Sequence, residues 1–494
     1  MSTNRTRKYS KDSKIIVVGA GVFGLSNALN LAQNGYTNIC VYDRLDMDAN
    51  HYTFLEGADT ASGDINKIFR AEYGDKVHYQ NLAFEAFEIW QKWNRDISQV
   101  PPEEGKKYKG LCLLDMCSML RLDDRLSNEE LANRKNFAKL GLRPLIHDIN
   151  DSVDVRRARA SGLGSKIQFA LDLKEKIPSL HGSLDSSSGM LYASRCCLYA
   201  KYLCTQLGVK FVLGGKKGTL KKYLTDETAT IVKGIVTEDG LSHAADLVVI
   251  SLGPWSTSLV PELDGINEAA SGNILLFKIP EHRKDLIEKY KSKNFPLIGW
   301  KPGHEREKDH LGGMYMFPIM EPEGYMKIIV RQTKYTNPVT LKDGRNVSIP
   351  KTAITRPAQT SLTKHIVSQA KEWMELFFSD LVEAGVKLES KIIWYTDTVN
   401  NDYIYDFVPG KKNLFVACGG SGHAFKMLPV LGRFLVDKLE GRENFYTNLF
   451  KWRDPKDFPR DPNGLKEGRN GPRVYSKQEI AKPADYIFAS LSKL

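Results

Sequence analysis

Three glycines mark the clearest chemical signature in the chain. Gly19, Gly21 and Gly24 form a G-x-G-x-x-G pattern directly after four β-branched residues. In such a pattern the first glycine turns the chain, the second lets a pyrophosphate approach the backbone, and the third lets a helix lie close to the strand. Asp43 ends a second predicted strand about two dozen residues later, where an acidic side chain accepts a hydrogen bond from a ribose hydroxyl. This stretch predicts a dinucleotide site, and the alternative is a glycine turn in an ordinary β-α-β unit.

Two later apolar strands also end in glycine turns. The run 247–250 leads to Gly253, and the run 414–418 leads to Gly420 and Gly422. Ligands of open α/β sheets bind at the carboxyl ends of the strands. Both turns are therefore predicted to lie beside the dinucleotide.

Basic side chains supply the other candidate chemistry. Lys67 and Arg70 follow Asp64 and Asn66 closely, and Lys327 stands within an apolar strand. A lysine in an alternating strand is also expected as an outward-facing solubilising side chain. Both interpretations of Lys327 stay open on the residues alone.

The elements that must position these residues fall into two kinds. Strands and helices alternate through 14–43, and three later buried strands return to the same sheet, as in parallel α/β folds. Residues 273–394 instead contain alternating strands typical of an antiparallel sheet. An amphipathic helix is predicted from about 76 to 93, and the charged segment 120–165 is helix-prone. The predicted fold class is α/β plus antiparallel β.

Size and charge limit the class of protein. A chain of 494 residues is too long for one core, so two or three domains are expected. No apolar run approaches a membrane span, and no membrane partner is expected. The net charge of +11 is spread along the chain without a nucleic-acid motif, and an interior channel for an anionic small molecule explains it equally well. The 7 cysteines have no spacing suited to zinc, so structural thiols in a reducing compartment and no metal site are predicted.

The chain closes with Ser492-Lys493-Leu494, the tripeptide that a peroxisomal import receptor reads. The polar, Pro- and Gly-rich run 454–472 before it predicts an exposed tail. The expected location is therefore the peroxisome, with the import receptor as a partner.

The order of these motifs resembles that of the flavin-dependent amine oxidases of the D-amino-acid oxidase superfamily. The similar branch contains sarcosine oxidases, fructosyl amino acid oxidases (amadoriases), and L-pipecolate and L-saccharopine oxidases. Four landmarks support the resemblance: the glycine pattern with Asp43, the stretch 64–70, the turn 252–255 and the loop 420–426. A second glycine loop also favours an enclosed FAD over an exchanging NAD.

The resemblance implies a Rossmann-like FAD-binding domain interleaved with a mostly antiparallel-sheet substrate domain, in a chain expected to act as a monomer. The implied boundaries are 11–110, 188–256 and 395–445 for the FAD-binding domain, 111–187 and 257–394 for the substrate domain with an inserted helical segment at 120–165, and 446–494 for a C-terminal tail.

The resemblance also implies residue roles. Lys327 matches a lysine that holds a water near the flavin and activates oxygen, because a cation stabilises negative charge that develops there. Lys67 matches a basic residue lying over the flavin, and Arg70 and Lys426 match the pair that binds the substrate carboxylate. His423 lies beside that pair, where a structural and a catalytic role are equally open. The candidate cofactor-binding residues are Gly19, Gly21, Val22, Phe23, Gly24, Asp43, Arg44, Asp64, Asn66, Lys67, Val212, Gly253, Gly420, Gly422, His423, Phe425 and Lys426.

Three positions depart from the relatives. Sarcosine oxidases and amadoriases attach FAD to a cysteine where this chain has Ile393, and nearby Tyr395 is not a cysteine either, so FAD is expected without a covalent link. Amadoriases lack an arginine at the position of Arg70. The fourth residue after the oxygen lysine is a glutamate in amadoriases and a histidine in sarcosine oxidase, whereas here it is Arg331.

The sequence thus predicts a peroxisomal FAD oxidase of a secondary, N-substituted amino acid. A hydride equivalent leaves the carbon next to nitrogen, the imine hydrolyses, and oxygen becomes hydrogen peroxide. L-saccharopine, with three carboxylates, best matches an additional cation at Arg331, because burying a fructosyl group beside an unpaired guanidinium would be costly. A fructosyl amino acid substrate stays open as an alternative. A second alternative is a flavin dehydrogenase with another electron acceptor, in which Lys327 is structural. A third alternative is a binding protein that carries a flavin.

Overall fold

A computed structural model of the chain describes residues 9–58, 60–100, 111–301, 312–331, 333–352, 361–458, 465 and 467–488. The strands, in chain order, are β1 (Ile15–Val18), β2 (Ile39–Asp43), β3 (Lys67–Phe69), β4 (Leu114–Asp115), β5 (Met119–Asp123), β6 (Ile146–Asp148), β7 (His181–Asp185), β8 (Gly189–Leu191), β9 (Lys210–Leu213), β10 (Leu220–Thr225), β11 (Val232–Thr237), β12 (Ser242–Ala244), β13 (Leu247–Ile250), β14 (Asn267–Lys278), β15 (Leu297–Trp300), β16 (Met314–Met320), β17 (Tyr325–Val330), β18 (Pro338–Thr340), β19 (Asn346–Ser348), β20 (Glu389–Thr398), β21 (Ile404–Phe407) and β22 (Leu414–Cys418).

The α-helices are α1 (Val22–Gln33), α2 (Val77–Asp96), α3 (Asn128–Lys139), α4 (Ser152–Ala160), α5 (Gly164–Lys176), α6 (Ala193–Gln206), α7 (Gly215–Gly218), α8 (Ser256–Leu259), α9 (Lys284–Lys289), α10 (Lys364–Phe377), α11 (Ser379–Glu383), α12 (Leu428–Leu431), α13 (Arg433–Leu439) and α14 (Phe445–Leu449). The predicted amphipathic helix is α2, which continues a few residues beyond the predicted end. No helix among the described residues combines the length and apolar character that crossing a membrane requires.

A six-stranded sheet of order β21-β22-β13-β1-β2-β9 holds the glycine turn. Its pairings are parallel except for the antiparallel edge strand β21. The strand β1 is buried on both faces, because Ile15 and Val17 pack with α1 while Ile16 and Val18 pack with the three-stranded sheet β10-β11-β12. This confirms the parallel sheet predicted from the four β-branched residues and the returning strands β13 and β22.

Gly24 sets the distance between α1 and the sheet. A Cβ atom at this position would lie 1.7 Å from the carbonyl oxygen of Gly19, so only glycine allows the helix to come this close. Gly19 itself has a φ of +109°, a conformation that other residues rarely adopt. The turn therefore requires glycine at both positions.

An eight-stranded sheet of order β20-β14-β17-β16-β15-β5-β7-β6 forms the second layer. All neighbours are antiparallel except β15 and β5. A small sheet of order β3-β8-β4 carries Lys67. The fold class predicted from the sequence, α/β plus antiparallel β, is confirmed.

The segment 120–165 differs from the predicted inserted helical segment. It contains helices, but most of β5 and all of β6 lie in it and belong to the eight-stranded sheet. Its charged residues pair with each other, as Arg121 and Arg134 both do with Glu130 at 2.8 and 3.0 Å. Paired charges let a polar sequence pack at the end of a sheet.

The C-terminal region is not a free tail where the structure describes it. Phe450 is buried in the core of the six-stranded sheet layer. Tyr475 and Phe488 are 2% and 0% exposed and pack in the core of the eight-stranded layer. The predicted tail over 446–494 is therefore wrong for the described residues, because widely spaced apolar side chains anchor a polar segment. Ser492-Lys493-Leu494 lies outside the described residues.

Candidate active site

A cavity of about 990 Å³ extends from the glycine turn after β1 to the face of the eight-stranded sheet. The predicted site residues that line it are Gly19, Gly21, Val22, Phe23, Asp43, Arg44, Lys67, Arg70, Gly253, Arg331, Gly420, Gly422, His423, Phe425 and Lys426. Gly24, Asp64, Asn66, Val212 and Lys327 do not line it. The folded chain thus brings most of the predicted residues to one cavity.

At the end of the cavity formed by the glycine turn, Asp43 stabilises that turn through hydrogen bonds. Its Oδ2 accepts from the backbone amide of Ala20 at 2.7 Å, and its Oδ1 accepts from that of Leu45 at 2.8 Å. Burial raises the pKa of Asp43, while these two amides oppose the rise. An ionised carboxylate has about four acceptor sites, so two bonds leave capacity for the predicted ribose hydroxyl. The Arg44 guanidinium lies 4.3 Å from the ring centre of Trp255 at the same end.

The residues at this end fit a dinucleotide. The amino end of the twelve-residue helix α1 faces the cavity, where a helix favours negative charge. A Cβ at Gly21 would lie 2.9 Å from Ser62 Oγ, and one at Gly420 would lie 3.2 Å from Phe23 and Ala424. A larger residue at either position would therefore press against side chains that line the cavity.

Lys327, Lys67 and Asp64 form a buried charge cluster. Asp64 Oδ2 accepts from Lys67 Nζ at 2.8 Å and from Lys327 Nζ at 3.0 Å, and Lys327 also donates to the Asn66 carbonyl at 2.6 Å. Burial alone would raise the pKa of Asp64, but the Lys327 and Lys67 ammoniums lower it to about 2. Burial lowers the pKa of Lys327 to about 8, against the opposing attraction of Asp64.

Lys327 lies deeper than the sequence predicts. Its side chain is fully buried, and its ammonium lies 4.3 Å from the ring centre of Phe317, which lines the cavity in its place. Two of its three N–H donors are used by Asp64 and Asn66. One donor remains for a water or for the face of the ring.

Arg70 and Lys426 converge on one aromatic ring. Their charged groups lie 4.9 and 5.0 Å from the ring centre of Tyr73. Lys426 Nζ donates to the His423 carbonyl at 3.1 Å, and the Trp90 indole N–H holds the Lys426 carbonyl at 2.7 Å. Burial first, and then Arg70, lowers the pKa of Lys426 well below its usual value. A substrate carboxylate would relieve this repulsion, as the predicted role requires.

His423 is held by hydrogen bonds at both ring nitrogens. Nε2 lies 2.9 Å from the Asn401 carbonyl, which can only accept, so we assign the proton to Nε2. Nδ1 then accepts from the Tyr403 hydroxyl at 3.0 Å. Burial, followed by the charge of Lys426, lowers the pKa of His423 far below its usual value. These contacts favour the structural role of the two that the sequence left open.

Sequence reasoning missed several polar residues in the cavity wall. The Tyr315 hydroxyl accepts from Arg331 Nη1 at 2.9 Å, where Arg331 is exposed. Lys334 Nζ donates to both carboxylate oxygens of Asp397 at 3.0 and 2.8 Å and lies 5.5 Å from the ring centre of Tyr395. Alternation could have indicated Tyr315, because it shares a face of β16 with Phe317, the register partner of Lys327.

The cavity wall contains no thiol. Ile393, at the position where relatives carry the attaching cysteine, lines the cavity. All seven cysteines lie within the described residues as free thiols, and none of them is part of the wall.

A parallel sheet whose glycine turn opens into a large cavity, which two converging cations also line, indicates a dinucleotide-dependent redox enzyme. The family described as FAD dependent oxidoreductase matches residues 14–438. The chain therefore belongs to this family and is an FAD-dependent oxidoreductase.

Several characterised proteins are similar over most of their length. L-saccharopine oxidase of Schizosaccharomyces pombe is 28% identical over 455 residues, covering 89% of this chain and 93% of that protein. Peroxisomal sarcosine oxidase of Mus musculus is 23% identical, covering 85% and 90%. Fructosyl peptide oxidase from E. terrenum superimposes with a TM-score of 0.74 at 22% identity, covering 96% and 99%, and Aspergillus fumigatus amadoriase II in complex with FSA superimposes with a TM-score of 0.68 at 23%, covering 90% and 91%. The structural likeness shows the shared fold.

Proposed function

We propose that this FAD-dependent oxidoreductase oxidises a secondary, N-substituted amino acid of the saccharopine or pipecolate type and passes the electrons to oxygen, giving hydrogen peroxide. The observation that supports this most directly is the convergence of Arg70 and Lys426 on Tyr73 in the cavity wall. Two cations beside one aromatic ring suit an α-carboxylate. The similarity to L-saccharopine oxidase is the second support.

Each residue contributes binding, position or charge. Arg70 and Lys426 bind the α-carboxylate and thereby set which carbon faces the reacting part of the cavity. FAD, when bound, supplies the acceptor for the hydride equivalent. Lys67 and Lys327 place positive charge beside that position, where negative charge develops during oxygen reduction. Phe317 and Ile393 form an apolar wall there that excludes water.

Arg331 supports a substrate with more than one carboxylate. It lines the cavity beyond Tyr315, and its exposed guanidinium suits the distal carboxylate of an acidic amino acid. In the amadoriases that the chain resembles, a glutamate stands there. For this reason the fructosyl alternative ranks below saccharopine.

One observation favours a second candidate function. Lys327 does not line the cavity, and its ammonium already donates hydrogen bonds to Asp64 and to the Asn66 carbonyl, as that of a structural lysine would. A dehydrogenase that passes electrons to a carrier other than oxygen would need no exposed cation at this position.

Three finer features belong to the proposal. FAD binds without a covalent link, because Ile393 replaces the attaching cysteine and no cysteine lines the cavity. The enzyme acts as a monomer, for which the similarity to the monomeric sarcosine oxidase of Arthrobacter is the support. It works in the peroxisome, which the Ser-Lys-Leu sequence at 492–494 and the peroxisomal sarcosine oxidases among its relatives support.

The test is an oxygen electrode with saccharopine, pipecolate, sarcosine, proline and fructosyl amino acids, followed by catalase addition. Saccharopine or pipecolate should give the highest kcat/KM, and catalase should return half of the consumed oxygen. Anaerobic bleaching of the flavin without oxygen consumption would instead identify the dehydrogenase. Acid precipitation should leave the yellow colour in the supernatant, and light scattering should give the mass of one chain.

Location has a separate test. A fluorescent fusion at the amino end of the full chain should accumulate in peroxisomes, and removal of Leu494 should leave it in the cytosol with unchanged activity in vitro. Peroxisomal location after the removal would contradict this part of the proposal.

A further inference from the structure

Oxidation of a secondary amino acid needs a proton acceptor. At neutral pH the substrate nitrogen is an ammonium, whereas loss of a hydride equivalent from the neighbouring carbon requires the nitrogen lone pair. The cavity must therefore take a proton from nitrogen before the redox step, most effectively with a base whose pKa lies near the working pH.

Most acceptors in the described cavity wall are already engaged. Asp43 accepts from two backbone amides at the nucleotide end. Glu129 forms an ion pair with Lys301, and Asp75 is exposed at the rim. Both nitrogens of His423 have partners, and the buried Tyr79 hydroxyl donates to Asp402 at 2.9 Å.

Resting on the proposed function, we propose that Tyr315, as the phenolate bound by Arg331, removes the proton from the secondary ammonium of the substrate. The phenol O–H bond forms, the ammonium N–H bond breaks, and the electron pair of that bond stays on nitrogen. No electron leaves the substrate in this step. Because Arg331 is exposed beside it, Tyr315 lies near solvent, to which it can return the proton.

Cations face Tyr315 from three elements. Arg331 follows β17 and donates to the hydroxyl at 2.9 Å, Arg70 follows β3, and Lys301 follows β15. Burial alone would raise the pKa of Tyr315, but Arg331, Arg70 and Lys301 together lower it below the usual value. Tyr73, the neighbouring phenol, has a raised pKa because of burial and therefore stays neutral. The three cations thus shift Tyr315, but not Tyr73, toward the phenolate.

Lys426 is the rival base, since its pKa is also lowered. Its Nζ donates to the His423 carbonyl, and the proposed substrate carboxylate binds beside it. That negative charge favours the ammonium form of Lys426 in the complex. Tyr315 keeps its hydrogen bond from Arg331 when a monocarboxylate such as pipecolate binds between Arg70 and Lys426, so its phenolate keeps a bound cation in that complex.

The experiment measures anaerobic flavin bleaching against pH in the holoenzyme and in Tyr315→Phe, with pipecolate as the probe. At neutral pH the bleaching rate should fall about 10²-fold or more in Tyr315→Phe, the range for loss of a general base. The two proteins should converge as the pH approaches the pKa of the free amine, because the substrate then arrives neutral. Tyr395→Phe is the matched control, since burial raises the pKa of this second cavity tyrosine and its loss should not move the pH profile.

A second readout does not depend on activity. An ultraviolet difference titration of the wild-type holoenzyme should show one tyrosine ionising before the others, and this step should vanish in Tyr315→Phe. Two results would overturn the proposal. One is a bleaching rate in Tyr315→Phe that is lowered by the same factor at every pH, and the other is the absence of an early tyrosine ionisation in the wild type. Bleaching by no amino acid at any pH would instead refute the proposed function, and this step with it.

Discussion

Lys327 is a buried cation whose role in the oxygen reaction can be tested directly. Lys327→Met should slow reoxidation of the reduced protein by oxygen about 10²–10³-fold, while bleaching by substrate changes far less, because a fixed cation helps only where negative charge develops. Stopped-flow absorbance measures the two half-reactions, reduction of the flavin by substrate and its reoxidation by oxygen, separately. The control is Lys166→Met, which removes another buried lysine of lowered pKa that does not line the cavity. An equal loss of rate in both half-reactions would mean that Lys327 is structural.

The same residue predicts a pH dependence of the oxygen reaction. Burial lowers the pKa of Lys327 to about 8, so its charge is present below that pH and is lost as the pH rises through it. Reoxidation should therefore slow as the pH passes about 8, and Lys327→Met should remove this dependence. A wild-type rate that does not change across this range would contradict the proposed electrostatic role.

Arg331 predicts substrate choice. Arg331→Gln should lower kcat/KM for saccharopine relative to pipecolate by about fivefold, since an exposed ion pair contributes up to about 1 kcal/mol. Lys301→Gln is the control, because it removes a nearby charge of the same sign whose side chain does not line the cavity. An unchanged ratio in Arg331→Gln would remove the main physical support for a substrate with several carboxylates.

Residues of the site differed in how well the sequence predicts them. The sequence predicts Gly19, Gly21 and Gly24 directly, because the backbone of a dinucleotide-binding turn requires glycine at this spacing. Alternation could have placed Tyr315 on the cavity face of its strand but could not show its chemical role, because a tyrosine among methionines in a strand is equally typical of a packed core. Its importance arises from the arginines that surround it, which follow β17 and β3.

Asp64 links two sheets. It accepts from Lys67 in β3 and from Lys327 in β17, which belong to different sheets. Asp64→Asn should lower the free energy of unfolding by about 3–5 kcal/mol, because two buried ammoniums lose their counter-charge. Asp96→Asn should cost less than about 1 kcal/mol, since the Lys92–Asp96 pair is exposed. Urea titration measures both, and similar losses would contradict a linking role for Asp64.

Elements with a strong hydrophobic pattern were predicted well. The strands within 120–165 were not, because their many charged residues suggest solvent exposure. The strands β1, β13 and β22 are continuous apolar runs, which only a doubly covered sheet explains. The segment 120–165 looked like an appendage because its arginines and acids suggest solvent. Their partners, such as Glu130 for Arg121 and Arg134, are visible only in three dimensions.

The C-terminal region stabilises the layer formed by the eight-stranded sheet. Phe488→Ala should lower the free energy of unfolding by about 3–5 kcal/mol, because its side chain is fully buried. The adjacent Ile487→Ala should change it by less than about 0.5 kcal/mol, since Ile487 is 53% exposed. Thermal unfolding checks both variants, and an unchanged Tm in Phe488→Ala would mean that this region does not contribute to the fold.

The strand order of the six-stranded sheet has a consequence for biosynthesis. β1 and β2 leave the ribosome early, whereas β22, which completes the far side of β13, is made near the end of translation. Until then the edge of β13 has no partner, and an unpaired parallel edge favours aggregation. The nascent chain must also wait for Gly420 and Lys426 before the cavity can enclose its ligand. Flavin capture is therefore a late event in the synthesis of each molecule, after the edge of β13 has been exposed.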